Sequence, residues 1–84
     1  MTFFEDVVFK NLKKYGKLNY YEKYKGPEID FILNGKIAFE AKIKPDTQDL
    51  KKLKRTAEKL NLKEHFLIMK DYAEVPNSIL AQDL

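Results

Sequence analysis

Three carboxylates, Glu28, Asp30 and Glu40, and a lysine, Lys42, stand in the most apolar part of this chain. In "GPEIDFILNGKIAFEAKIK", residues 26 to 44, Asp30 precedes an Asn-Gly turn, and Glu40 and Lys42 follow it. Carboxylates a few ångströms apart repel unless a cation lies between them. Mg²⁺ is a hard ion that takes oxygen ligands and keeps several waters. Asp30 and Glu40 could hold Mg²⁺ or Mn²⁺, with the Ala41 carbonyl as a neutral third ligand. Such a metal would lower the pKa of a water and polarise a phosphoryl oxygen. Lys42, two residues after Glu40 and on the same strand face, could orient the water or balance charge on a pentavalent phosphorus. These parts suffice for phosphodiester hydrolysis.

Whether they meet depends on the hairpin. Ile29, Phe31 and Leu33 alternate on one arm, and Ile37, Phe39, Ala41 and Ile43 on the other. Both sets belong on one side of a sheet. A two-residue Asn34-Gly35 loop pairs Leu33 with Lys36 and Phe31 with Ala38, which puts them on opposite sides. A loop one residue longer, a type I turn with Gly35 as a left-handed bulge, pairs Ile32 with Lys36 and Asp30 with Ala38. Hydrophobic matching therefore predicts that bulge or another odd-length loop. Glu28, Asp30, Glu40 and Lys42 then emerge together on the other face, because a one-residue slip flips a whole strand.

The elements that must carry this hairpin can be read from apolar spacing. Residues 2 to 15 read as a helix, with Phe4, Val8, Leu12 and Tyr15 on one stripe and Phe3 and Val7 beside it. Thr2 is a natural N-cap and Gly16 a natural stop. Residues 18 to 25 alternate as a partly exposed strand, broken by Gly26-Pro27. Strands over 28 to 33 and 36 to 43 follow. A second helix opens at Pro45-Asp46-Thr47, carries Leu50, Leu53, Ala57 and Leu60, and stops near Asn61. Residues 66 to 70 read as a buried strand. The tail "VPNSILAQDL" has no clear period and reads as a short helical turn or a segment that packs on a neighbour. The expected fold is mixed α/β, with the order αβββαβ. Three antiparallel strands and a fourth parallel to the third form a four-stranded sheet flanked by helices.

Asp30, followed by "Phe39-Glu40-Ala41-Lys42" on the next strand, resembles the D…(E/D)-x-K signature of the PD-(D/E)XK nuclease superfamily, and the element order is similar to its restriction-endonuclease-like core. In the branch similar to archaeal Holliday-junction resolvases a glutamate on the first helix joins the site, and Glu5 is the matching residue. "Glu28-Ile29-Asp30-Phe31" with "Phe-Glu-Ala-Lys" also looks like the C-terminal nuclease-like domain of archaeal P-loop ATPases. The resemblance implies a Mg²⁺- or Mn²⁺-dependent DNA endonuclease, with branched DNA among its substrates. Asp30, Glu40, Lys42 and Glu5 would be catalytic, and Asp30, Glu40, Ala41 and Glu5 would hold the metal. It covers about residues 2 to 70. Pro27 stands three residues before Asp30 rather than beside it, Gln48 has no tyrosine four residues on, and no P-loop is present.

Plainer readings stand beside these. Thr2-Phe3-Phe4-Glu5 is a T-x-x-E capping box. Asp30, Glu40 and Lys42 would make an ordinary wet sheet face if no second helix covered it. His65 reads as a loop residue before a strand. Tyr20, Tyr21 and Tyr24 fit strand propensity better than base stacking. Lys51, Lys52, Lys54, Arg55 and Lys59 make a solvated helix face that could also follow a phosphate backbone.

Composition sets the limits. The 84 residues make one domain, 1–84, with 16 Lys plus Arg against 13 Asp plus Glu and a formal charge of +3. Only Arg55 among the cations is arginine, so contact with DNA would favour the phosphate backbone over base sequence. A Lys/Glu-rich surface equally suits a hot environment. There is no cysteine, hence no disulfide or thiolate metal site. No apolar run is long enough for a membrane span, and the N-terminus lacks signal-peptide features, so the expected setting is cytoplasmic. The alternative function is a non-catalytic interaction domain of nuclease fold, forming a homodimer or docking to an ATPase partner.

Overall fold

The computed structural model describes residues 2–21 and 29–84. The expected Gly26-Pro27 break, Tyr24 and Glu28 lie outside the described residues.

Helix α1 spans Phe3–Leu12. The Thr2 hydroxyl accepts the Glu5 N–H at 3.1 Å and the Glu5 carboxylate accepts the Thr2 N–H at 2.9 Å. The capping box is thus closed, which satisfies two otherwise orphaned donors. The α-helix stops three residues before the expected end, and Lys13–Tyr15 tighten into a 3₁₀ turn. Gly16, at φ 154°, then ends the segment. A side chain there would collide with Asn34, whose Oδ1 accepts the Lys17 N–H. Gly16 therefore lets the end of the helix lie against the hairpin loop.

Strands β1 (Leu18–Tyr20), β2 (Phe31–Leu33) and β3 (Ile37–Lys42) form the expected antiparallel meander. Helix α2 (Thr47–Lys59) leads to β4 (Glu64–Met69), which pairs parallel with β3. α2 opens with a second capping box, between Asp46 and Asp49, and Asn61 at φ 57° follows its end. Among the described residues the sheet has five strands rather than four. Strand β5 (Ser78–Leu80) adds to β4 in parallel. It is too short to show a period, and residues 70–77 connect it without a helix, so neither sequence signal was present. The left-handed Asn77 sets its entry: its carbonyl accepts the Leu67 N–H and its side-chain amide donates to the His65 carbonyl. A 3₁₀ turn at Ala81–Asp83 follows.

The two helices cover opposite faces. Val8 and Leu12 of α1 pack with Phe31, Leu33, Phe39 and Ile68. Leu53 and Ala57 of α2 pack with Ala38, Leu67 and Ile29. The loop of the hairpin is odd in length, as hydrophobic matching requires, but its register differs from the expected one. Ile32 pairs with Ala38, not Lys36, and Leu33 pairs with Ile37. Asn34 (φ 53°) and Gly35 (φ 67°) are both left-handed, and the Lys36 N–H also reaches the Leu33 carbonyl. The turn is therefore the tight, twisted kind suited to hairpins. The extra residue is Lys36 rather than Gly35.

A second irregularity lies at the other end of β2. Phe39 has Phe31 as its partner, yet the Asp30 N–H donates to the Phe39 carbonyl at 2.9 Å. Asp30 and Phe31 thus oppose one residue, which is a β-bulge. The bulge starts the regular strand at Phe31 instead of residue 28. It also corrects the place of Ile29. Strict alternation put Ile29 with Phe31 and Leu33, but one extra residue turns it to the α2 face, where it is fully buried.

Burial assigns unequal weights to the two outer helices' apolar residues. Leu53→Ala should cost about 2–5 kcal/mol, as for other buried leucines, because Leu53 is wholly enclosed. Phe3→Ala should change stability by no more than about 0.5 kcal/mol, because the Phe3 ring is exposed. Urea unfolding followed by circular dichroism measures both.

Candidate functional site

β3 runs past the start of β2. The last partner on that side is Phe31, opposite Phe39. The next main-chain groups of β3 facing β2 belong to Ala41, two residues on. A strand donor in a half-buried position needs a partner. The Ala41 N–H donates to Asp30 Oδ2 at 2.9 Å. The bulge thus lets Asp30 replace a missing rung of the ladder with its side chain. In an extended strand the N–H and C=O of one residue point the same way, so the Ala41 carbonyl faces the Asp30 side as well.

Glu5, Asp30, Glu40, Ala41 and Lys42 line one open cleft of about 620 Å³ at this end of the sheet. All five expected site residues therefore come together. They do so around the end of the sheet, with α1 supplying Glu5, and not simply as one row on a flat face. Glu40 is buried at 7% exposure within β3. The Lys42 ammonium lies 3.7 Å from Asp49 of α2. That contact ties the strand to the N-terminus of the helix, where a carboxylate is also favoured by the helix dipole.

The charges are strained in a particular direction. Burial pushes the Asp30 carboxyl above the ordinary 3.8. The Ala41 N–H opposes that shift, the Glu5 charge adds to it, and Lys42 opposes it. Glu5 is held below its ordinary 4.5, first by the Thr2 N–H, and Asp30 hydrogen-bonds to its carboxylate. Burial is the first cause of the Asp30 shift and the Thr2 N–H the first cause of the Glu5 shift, and the contact between the two carboxyls adds least to each. Glu5 thus fulfils the capping role and lies beside Asp30, so the two readings of this residue are compatible.

Among the described residues, no group of three or more Asp, Glu, His or Cys side chains converges to enclose a metal. The donor set at the cleft is nonetheless all oxygen: the Asp30 and Glu40 carboxylates, the Ala41 carbonyl, and Glu5 beside Asp30. Few protein oxygens with several waters is the usual arrangement around Mg²⁺. The residues fit such an ion on these grounds.

Five other cleft residues, Thr2, Phe3, Phe4, Ile43 and Lys70, were not foreseen as part of the site. Only Phe3 left a signal, since it stands off the stripe of Phe4, Val8 and Leu12. Lys70 arrives through β4, where its N–H bonds the Lys42 and Ile43 carbonyls. His65 lies in β4 rather than a loop, paired with Ala38. Partial burial, then Lys54, depresses its pKa. Tyr20 stacks on Phe9 at 4.5 Å, and Tyr21 packs with the α2-side core. Tyr20 thus has a packing role in β1, whereas Tyr21 lies past the end of that strand, which closes at Tyr20 and not at residue 25. The α2 cations Lys51, Lys52, Lys54, Arg55 and Lys59 are exposed.

Because the folded Asp30 pKa is raised, the folded state holds this proton more tightly than the unfolded chain. The corresponding stability is present below pH 3.8 and is lost as pH rises through the folded value. At pH 7 the ionised group is therefore a burden. Asp30→Asn keeps an oxygen for the Ala41 N–H and should melt higher than the native protein at pH 7 without metal. The gap should close toward pH 3. A lower melting temperature for the variant at pH 7 would contradict this electrostatic account.

No match was found among curated proteins or among solved structures. A family model described as "Domain of unknown function (DUF4143)" matches residues 2–81, nearly the whole chain. The span takes in both helices, all five strands and every residue of the cleft, and the chain belongs to the DUF4143 family.

Proposed function

We propose that this domain is a metal-dependent nuclease-fold domain that hydrolyses phosphodiester bonds in DNA through a site of the PD-(D/E)XK kind. The observation that carries the reading is the meeting of Asp30, Glu40, Ala41, Lys42 and Glu5 in one cleft. The order α1-β1-β2-β3-α2-β4 is compatible with a restriction-endonuclease-like αβββαβ core, to which β5 adds an edge strand. Asp30, Glu40 and the Ala41 carbonyl would hold Mg²⁺ or Mn²⁺, with Glu5 beside Asp30. Such an ion supplies a more acidic water and a polarised phosphoryl oxygen.

The chain's own groups have separate tasks. Asp30 is fixed by Ala41, and Glu40 by the interior of the sheet. Lys42 would leave Asp49, an ion pair 3.7 Å long and partly exposed, for the phosphoryl oxygens or the attacking water. Water adds its oxygen to phosphorus, one ester bond breaks, and the departing alkoxide takes up a proton. Positive charge at Lys42 offsets the charge that develops on the phosphoryl oxygens. DNA would be held by its backbone, with the exposed cations of α2 as a further phosphate-tracking face.

Cleavage of single-stranded, duplex and branched DNA with Mg²⁺ or Mn²⁺ tests the proposal. Lys42→Ala and Glu40→Gln should each lower the rate about 100-fold or more, with the fold intact by circular dichroism. Cleavage that survives chelation or both substitutions, or no cleavage by the folded native protein, would contradict it.

A second reading has its own observation. Leu33, Ile37, Phe39, Phe66, Ile79 and Leu84 line an apolar cleft of about 450 Å³ at the opposite end of the α1 face. An apolar surface of this kind supports an interaction domain that docks to a second copy or to an ATPase partner. Phe66→Lys should abolish a concentration-dependent dimer in sedimentation equilibrium. A native protein that stays monomeric at every concentration would remove the homodimer.

A further inference from the structure

We propose that Phe3 is a base-stacking platform beside the carboxylates, so that the site takes an unpaired DNA strand in preference to intact duplex. The inference rests on the nuclease reading for the position of the phosphate, but its test reads binding alone.

Phe3 is unlike the other phenylalanines of the chain. Phe4, Phe9, Phe31, Phe39 and Phe66 all belong to the core on the α1 side. Phe3 is 85% exposed and lines the cleft that holds Glu5 and Asp30. Its ring therefore contributes little to folding, because it buries almost none of its apolar surface. The capping box fixes its backbone, since Thr2 and Glu5 on either side are bonded to each other. The result is an exposed aromatic ring on a fixed backbone at the rim of an acidic floor. Exposed Lys70 and half-exposed Ile43 lie on the same cleft.

A phosphodiester strand matches this combination. Its phosphate would meet the floor through a divalent cation, with Lys42 and Lys70 near its oxygens. The adjoining base offers a flat face of any sequence, which an aromatic ring accepts without reading it. Bases inside a duplex already stack on each other, so the ring can reach only a base that is unpaired or splayed out. The lysine-dominated charge points the same way, because it reads backbone and not sequence.

Fluorescence anisotropy with labelled single-stranded and duplex oligodeoxynucleotides, in Ca²⁺ and separately in chelator, tests the platform without requiring turnover. The native protein should bind the single strand more tightly than the duplex. Phe3→Ala should weaken single-strand binding about 5- to 100-fold and leave duplex binding unchanged, while Phe3→Trp should retain it. Equal affinity of Phe3→Ala and native protein for the single strand would overturn the platform, as would tighter binding of duplex or the absence of DNA binding. If the Phe3 effect appears but Mg²⁺ brings no cleavage, the platform stands and the hydrolytic reading falls. If cleavage occurs and Phe3→Ala binds normally, the reverse holds.

Discussion

One hydrogen bond organises the candidate site: the Ala41 N–H to the Asp30 carboxylate, 2.9 Å long. β3 continues where β2 has bulged away, and the half-buried donor of Ala41 must find a partner. Asp30 provides it from the bulge itself. The same bond fixes the carboxylate beside Glu5 and holds the Ala41 carbonyl toward the cleft. An ordinary ladder rung at this place would satisfy the same donor, but would not hold the Asp30 carboxylate against the end of β3. Replacing the rung by a side chain makes the end of the sheet both closed and chemically armed.

The rest of the fold keeps that arrangement rigid and half-dry. α1 and α2 cover opposite faces, with separate apolar clusters on either side of β3. Glu40 stands between them and is nearly buried. A buried carboxylate costs free energy unless it is hydrogen-bonded, paired or bound to a cation. The raised pKa of Asp30 expresses the same cost in another form. Burying the Asp30 carboxylate works against stability at neutral pH, and carboxylates with shifted pKa values in a cleft, here Asp30 and Glu5, are a mark of functional sites. The two capping boxes offset part of that burden. They also place Glu5 and Asp49, the two carboxylates that reach Asp30 and Lys42 from the helices.

Much of this was legible in the sequence, for reasons that can be named. Val8 and Leu12, and Leu53 and Ala57, carry helical periods that survive in the buried residues. The Asn34-Gly35 dipeptide located the turn, and matching the apolar sets required an odd-length loop. What failed was finer than these signals. Hydrophobic matching fixes which face a residue takes, not where the extra residue falls, so Lys36 in place of Gly35 was invisible. The bulge at Asp30 was equally hidden, because Ile29 reads as alternating with Phe31 although it packs on α2. β5 is three residues long and reached without a helix. Lys70 joins the cleft only through parallel pairing of β3 and β4, a contact between segments distant in the chain.

The central claim is that the Asp30 bulge and the end of β3 form a divalent-cation site. Anomalous diffraction from a crystal soaked in Mn²⁺ addresses it most directly. The expected result is a single peak in the cleft, about 2.0–2.3 Å from oxygens of Asp30 and Glu40, with the Ala41 carbonyl beside it and the Ala41–Asp30 bond intact. The absence of a peak in this cleft at saturating Mn²⁺, with both carboxylates ordered, would contradict the account.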